Sequence, residues 1–102
     1  MSDLIPVRLS LRVMSATPEG DSALYSRFIH VPEVPRVGDN VYLDEDSTRH
    51  REVTARDWGH DGTPIILLDT VSTREDARVP VVSVEMLTQN GWERDLNQAK
   101  RS

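Results

Sequence analysis

Two histidines and two aspartates near the middle of the chain are residue types that could carry acid–base or metal chemistry. They are His50, Asp57, His60 and Asp61. Imidazole and carboxylate groups do such chemistry only where they converge in a pocket. On a straight strand His50 and His60 would stand about 33 Å apart, and no turn signal separates them before Gly59. We therefore interpret His60 and Asp61 as polar turn residues, and we predict no catalytic set, no metal site and no cofactor.

The acidic run of residues 44–46 offers oxygen ligands for a hard cation. An EF-hand needs a longer, regular ladder of ligands that ends in a later glutamate, and this run has neither. The chain also lacks the glycine-rich patterns of nucleotide-binding loops and the G-x-S-x-G pattern of a nucleophile elbow. We expect a solvated acidic loop and a protein that is not an enzyme.

Arginine and aromatic side chains are the remaining candidates for function. Arginines make the middle of the chain locally basic, at positions 27, 36, 49, 51 and 56. Beside aromatic rings they could form a surface that stacks bases and binds phosphates. Alternatively, their stems cover apolar edges while their charged heads pair with acidic groups. The predicted binding residues are Arg36, Tyr42, Arg56, Trp58 and His60.

The elements that must position these residues are short strands. Apolar residues alternate with polar ones over residues 6–14, which predicts a strand with one buried face. Residues 23–31 form a second strand candidate, for which a short helix over residues 22–28 is the alternative. Neither face of this segment is polar throughout, as expected for a strand that is covered on both sides or that changes face at a bulge.

From Pro32 to Asp69 the pattern is that of an antiparallel meander. Prolines at 32 and 35 interrupt pairing, and Gly38 is expected to have a positive φ in a tight turn. Strands follow at 41–43 and 50–58, and a hairpin with Asp61-Gly62 leads to the apolar strand 65–68. Strict alternation in the long strand places Val53, Ala55 and Asp57 on one face and Thr54, Arg56 and Trp58 on the other. Whether Trp58 points inward or outward is left open; an outward tryptophan would be an interaction hot-spot candidate.

Near the C-terminus the spacing of apolar residues changes from that of a strand to that of a helix. After a polar loop over residues 70–78, residues 79–82 suggest a final strand. Residues 83–91 then suggest two helical turns that begin at the cap Ser83 and end at Asn90 or Gly91. Trp92 can fold back over one end of the sheet. We expect an ordered core over about residues 5–92 and a frayed tail over residues 93–102.

Length and charge place limits on the function. A chain of 102 residues fits a single domain, 1–102. The net charge of −5 disfavours general affinity for nucleic acid, which needs a basic footprint. The chain has no cysteine, its N-terminus lacks the pattern of a signal peptide, and it has no apolar run of membrane-spanning length. We predict a cytoplasmic protein that does not enter membranes.

The residues from Pro35 to Leu67 resemble a known pattern. A Val-Gly-Asp turn at residues 37–39 opens a strand, and a hairpin at Asp61-Gly62 follows. This arrangement resembles the SH3-like and KOW-type small β-barrels, and it is similar to uncharacterised short bacterial proteins. The resemblance covers about a third of the chain. It implies a barrel that binds RNA or proteins through a basic loop, but here the acidic residues 44–46 follow the first strand.

The sequence therefore predicts a mainly β fold. We expect a small SH3-like barrel, or a curled antiparallel sheet of five to six strands, with a short C-terminal helix. The predicted function is a non-enzymatic binding or assembly module that acts through protein–protein contacts, with a protein partner or self-association. The alternative is a nucleic-acid-associated barrel that uses the arginine-rich middle.

Overall fold

The chain forms a curled half-barrel sheet of six strands in the part that the computed structural model describes, residues 3–17, 19–44, 49–75 and 79–95. The strands are β1 (Ile5–Met14), β2 (Ala23–Val31), β3 (Asn40–Tyr42), β4 (His50–Trp58), β5 (Pro64–Ser72) and β6 (Glu93–Arg94), and the helix is α1 (Val84–Gln89). Their order across the sheet is β3-β4-β5-β1-β2-β6. The prediction of a mainly β, curled sheet with a short C-terminal helix is confirmed. Within the described residues no helix is long and apolar enough to cross a membrane.

The alternation in β1 divides the sheet into two faces. Val7, Leu9, Leu11 and Val13 are fully buried, and we call their side the inner face. The intervening residues, such as Arg8 and Ser10, lie on the outer face. Since β1 lies between β5 and β2, its inner-face side chains form the centre of the core.

Residues 23–31 are a strand, so the helix alternative for this segment is wrong. β2 pairs antiparallel with β1 from Val13↔Ala23 to Ile5↔Val31. This register satisfies the backbone groups of β2 on the β1 side and buries Tyr25 on the inner face. A helix would have gained only local hydrogen bonds, and short isolated helices are marginal in water.

The meander predicted between Pro32 and Asp69 is confirmed as β3, β4 and β5, which pair antiparallel in chain order. The turn before β3 holds Gly38 at a φ of +97°, as predicted. Its N–H donates to the carbonyl oxygen of Val53 at 2.9 Å, and the N–H of Val53 donates to the carbonyl oxygen of Asp39 at 2.8 Å. The turn is therefore tied to Val53 of β4 by backbone hydrogen bonds at Gly38 and Asp39.

Replacing Gly38 by valine should lower the free energy of unfolding by about 1–2 kcal/mol, because side chains with a Cβ are strained at this φ. No atom lies within 4 Å of the position a Cβ would take, so backbone strain alone causes the loss. Gly62→Val is the matched control, since Gly62 has a φ of +83° at an equally open site. We expect the smaller loss there, because loop tips tolerate change better. Thermal melts that give equal, small losses would mean that the turn before β3 is loose.

One neighbouring pair in the sheet is parallel, which the sequence did not predict. β1 runs parallel to β5 from Arg8↔Ile65 to Met14↔Ser72, whereas the other strand pairs of the described sheet are antiparallel. β5 is also longer than expected and includes residues 70–72, which were predicted as loop. The parallel ladder extends β5 because it supplies partners up to Ser72, which is itself buried.

The segment that follows β5 does not form the predicted strand at residues 79–82. It makes an isolated parallel bridge, Ser72↔Val81. Pro80 has no N–H to donate to a neighbouring strand, so regular pairing does not extend along this segment. Next to it, the N–H of Val82 donates to the carbonyl oxygen of Ser72 at 2.8 Å. Val82 is nevertheless buried in the core.

Helix α1 begins at the predicted cap. The Oγ of Ser83 accepts a hydrogen bond from the N–H of Met86 at 3.0 Å, and Leu87 is buried against the core. Trp92 then folds back into the core and is 1% exposed. Its indole N–H donates to the carbonyl oxygen of Leu43 at 2.9 Å. This contact joins the C-terminal segment to the end of β3.

The start of the predicted frayed tail is instead a strand. β6 pairs antiparallel with β2 through Tyr25↔Arg94 and Ser26↔Glu93. Next to it, Asp95 forms an ion pair with Arg8 at 2.9 Å. Trp92 brings the following residues alongside β2, whose edge supplies the backbone partners that a free tail would lack. Residues 96–102 of the predicted tail lie outside the described residues.

Candidate functional site

A β-bulge in β4 decides which way the candidate binding residues face. Val53 lies opposite Leu68 on β5, but Ala55 lies opposite the next residue, Leu67. Two steps along β4 thus match one step along β5, with Thr54 as the extra residue. A bulge of this kind bends the strand and shifts the alternation of its side chains by one.

The bulge places Arg56 and Trp58 on the inner face. Arg56 lies opposite Ile66, and Trp58 lies opposite Pro64. Residues directly opposite each other in an antiparallel pair project on the same side of the sheet, and Ile66 is a core residue. We predicted that Val53 lies on the opposite face from Arg56 and Trp58. This prediction is wrong, because the inserted residue shifts the alternation and places all three on the same face.

Although it is on the inner face, Trp58 is 62% exposed. It is the last residue of β4, at the rim of the half-barrel. Arg56 is also exposed, and it has no ion-pair partner among the described residues. The Trp58 side chain is therefore at the surface, two residues from the exposed guanidinium group of Arg56.

The hairpin beyond Trp58 carries His60 at its tip. The tip is closed by hydrogen bonds from the N–H of Gly59 to the carbonyl oxygen of Thr63 (2.9 Å) and from the N–H of Gly62 to that of Gly59 (3.0 Å). The N–H of Thr63 donates to Asp61 Oδ1 at 2.9 Å. This hydrogen bond is the main cause that lowers the pKa of the Asp61 carboxyl group. His60 is exposed beside it, as expected for a polar turn.

Tyr42 lies at the opposite end of β4 from Trp58. It pairs with His50, and the two rings form an edge-to-face contact with centroids 5.9 Å apart. His50 is eight residues from Trp58, which is about 26 Å along a strand. The structure therefore separates Tyr42 from the surface of Arg56 and Trp58. His60 lies two residues beyond Trp58, so it is also far from His50, and the described residues contain no group of three potential metal ligands.

Arg36 lies in the turn before β3, beside an open cleft of about 520 Å³ that Val34, Pro35 and Val41 also line. Its guanidinium group pairs with Glu33 at 3.4 Å, and both side chains are about three-quarters exposed. Such a pair contributes at most about 1 kcal/mol. The backbone N–H of Arg36 donates to Asp39 Oδ2 at 2.9 Å. This hydrogen bond helps to close the turn before β3.

The arginines of the middle of the chain do not form one free basic surface. Arg36, Arg49 and Arg51 each form an ion pair with an acidic residue. Arg51 is the most embedded, since it pairs with Asp69 at 2.9 Å and donates to the carbonyl oxygen of Thr70 at 3.0 Å. These pairs agree with the interpretation that arginine heads are neutralised by acidic groups.

Asp44 differs from the expected solvated acidic loop. It is only 7% exposed, and its Oδ1 accepts a hydrogen bond from the N–H of Arg49 at 3.3 Å. The N–H of Leu43 donates to the carbonyl oxygen of Arg49 at 2.7 Å. Asp44 thus helps to close the connection between β3 and β4. The other two acidic residues, at 45 and 46, lie outside the described residues.

Phe28 is an exposed aromatic residue that was not among the predicted binding residues. It is 65% exposed on the outer face of β2, where Arg8 stands 6.0 Å from its ring centroid. A usable signal was present in the sequence: Phe28 alternates out of phase with Tyr25, Ile29 and Val31. If those three residues face the core, Phe28 must face away from it.

Comparison with protein-family models, curated proteins and solved structures finds no match to this chain.

Proposed function

We propose that this chain is a non-enzymatic binding or assembly module that holds a protein partner through Arg56 and Trp58. The observation that carries the proposal is the exposure of Trp58 at the rim of the half-barrel. Tryptophan and arginine are enriched among the residues that contribute most of the binding energy in protein interfaces. An indole ring left in water, two residues from a guanidinium group that has no ion-pair partner in the described part of the chain, has the composition of such a hot spot.

The position of these side chains on a hydrogen-bonded hairpin also favours binding. Trp58 and Arg56 lie on β4, whose hairpin to β5 is closed by backbone hydrogen bonds at its tip. A site on a rigid hairpin loses little conformational entropy when a partner binds. His60, exposed at the tip, extends the surface at its outer end.

The nucleic-acid alternative has less support. Phosphate binding needs several free cations on one surface, and three of the five central arginines are ion-paired. The net charge of −5 adds a repulsive background. Arg56 and Trp58 alone supply one cation and one stacking ring, which suits a protein surface better than a nucleic-acid track.

Trp58→Ala should abolish the capture of partners by the immobilised protein, or weaken a measured affinity at least about tenfold, as for a hot-spot residue. The free energy of unfolding should change by less than about 0.5 kcal/mol, since the ring is mostly in water. Proteins captured from a native lysate, with and without nuclease, give the measurement. Tyr42→Ala is the matched control, because it removes a half-exposed ring from the far end of β4.

Two results would contradict the proposal. One is a set of captured proteins that is the same for wild type and Trp58→Ala. The other is capture that disappears on nuclease treatment, which would favour the nucleic-acid alternative.

A further inference from the structure

One edge of the sheet is only partly covered. β6 pairs with Tyr25 and Ser26 of β2, and no described strand pairs with the rest of β2 on that side. We call residues 27–31 the free edge segment. An unpaired strand edge is a template for another strand, and proteins usually protect it with proline, lysine, a bulge or a very short strand. The free edge segment, RFIHV, contains neither proline nor lysine, and its register with β1 has no bulge.

The hydrogen bond beside β6 shows which backbone groups of this segment point outward. The carbonyl oxygen of Leu24 accepts the N–H of Asp95 at 2.7 Å, so the polar groups of Leu24 point away from β1. Along a strand between two neighbours, successive residues direct their backbone groups alternately to one side and the other. Phe28 and His30 therefore present N–H and C=O groups outward, whereas those of Ile29 point to β1.

These groups define a self-complementary register. A two-fold axis through Ile29 places Phe28 opposite His30 of a second copy, and His30 opposite its Phe28. A register centred on Phe28 would require Ser26, which pairs with Glu93 of β6. A register centred on His30 would place Pro32, which has no N–H, opposite Phe28. The register centred on Ile29 is thus the one that uses both outward-facing residues.

The side chains fit the same arrangement. In this register the exposed Phe28 ring of each copy lies on the outer face beside the imidazole ring of His30 of the other copy. Arg27 lies opposite Val31, so no like charges stand directly across the interface, which would be destabilising. Pairing stops at Arg27 because β6 occupies the next positions, and it stops at Val31 because Pro32 cannot continue a ladder.

We propose that the free edge segment pairs antiparallel with the same segment of a second copy of this chain. This surface on β2 is separate from that of Arg56 and Trp58 on β4, so the inference goes beyond the proposed function and names a second copy as the partner of the free edge segment. Five residues on each side cover less area than the roughly 1,200–2,000 Å² of stable complexes. We therefore expect a dimer that forms at high concentration and dissociates on dilution.

His30→Pro is the decisive variant, because it removes an outward N–H and leaves the bonds between β2 and β1 in place. His30→Ala is its matched control, since it also removes the imidazole ring but keeps the N–H. Sedimentation equilibrium from micromolar to millimolar concentration should show the mass rising toward twice that of the monomer for wild type. His30→Ala should also dimerise, but at higher concentration, because it loses the ring contact and keeps the backbone hydrogen bonds. His30→Pro should remain monomeric.

Phe28→Lys should also remain monomeric, and it tests the interface without changing the backbone. Thermal melts of both variants establish that they are folded. The inference is overturned if the wild type stays monomeric at millimolar concentration, or if both variants still dimerise. A dimer that is lost only in Trp58→Ala would also overturn it, while supporting the proposed function. A monomeric wild type that still captures partners through Trp58 would overturn this inference alone.

Discussion

Replacing Trp92 by alanine is expected to lower the free energy of unfolding by about 3–5 kcal/mol, the range for removing a large aromatic side chain from a core. Trp92 is 1% exposed and is among the largest fully buried side chains of the described chain. Its removal would leave a cavity and would free the carbonyl oxygen of Leu43, which accepts the indole N–H. Domains of this size have a total stability of about 5–15 kcal/mol. Urea unfolding monitored by circular dichroism measures the loss.

The second tryptophan of the chain is the control. Trp58→Ala removes a side chain that is 62% exposed and should cost less than about 0.5 kcal/mol. Trp92→Phe separates the two contributions, since it keeps part of the packing but leaves the carbonyl oxygen of Leu43 without its donor. Losses of similar size for the two alanine variants would contradict the structural role of Trp92.

Leu68→Ala should cost about 2–5 kcal/mol, as expected for a buried leucine. Leu68 is 5% exposed on the inner face, and it lies opposite Leu11 on β1 and Val53 on β4. The matched control is its neighbour Leu67, which is 37% exposed on the outer face. Leu67→Ala should cost less than about 1 kcal/mol, because the site can refill with water instead of leaving a cavity.

This pair of variants tests the register of β5 directly. A shift of one residue moves every side chain of a strand to the other face. If Leu67→Ala proved the more damaging substitution in thermal or urea unfolding, β5 would be paired one residue away from the register described above. If both losses were large, the outer face would be covered in solution.

The sequence indicated the strands whose pattern is local. β1 could be predicted because polar and apolar residues alternate over its length, and the meander because glycine and proline mark its turns. The parallel pairing of β1 with β5 could not be predicted, since no local pattern specifies which distant strand lies alongside. β6 escaped prediction because it has only two residues, and its formation depends on the anchoring of Trp92.

The candidate site was predicted in its residues but not in its geometry. Arg56 and Trp58 do lie together and are exposed, whereas Tyr42 lies at the far end of β4. A one-residue bulge at Thr54 reverses the faces, and no residue in that stretch marks it, because threonine is an ordinary strand residue. The exposure of Trp58 follows from its place at the end of β4, on the rim of the half-barrel.

The parallel seam between β1 and β5 has a consequence for how the chain folds. Arg8 and Ile65 are partners that stand about 57 residues apart along the chain, so the native structure has a high contact order at its centre. The β1–β2 hairpin and the β3–β5 meander can each form from neighbouring segments, but joining them requires a long loop to close, and such pairing is slow. On the ribosome β1 must wait until β5 has emerged. Until then β1 exposes an unpaired edge of backbone N–H and C=O groups, which makes this interval the one in which the chain is most open to misassembly.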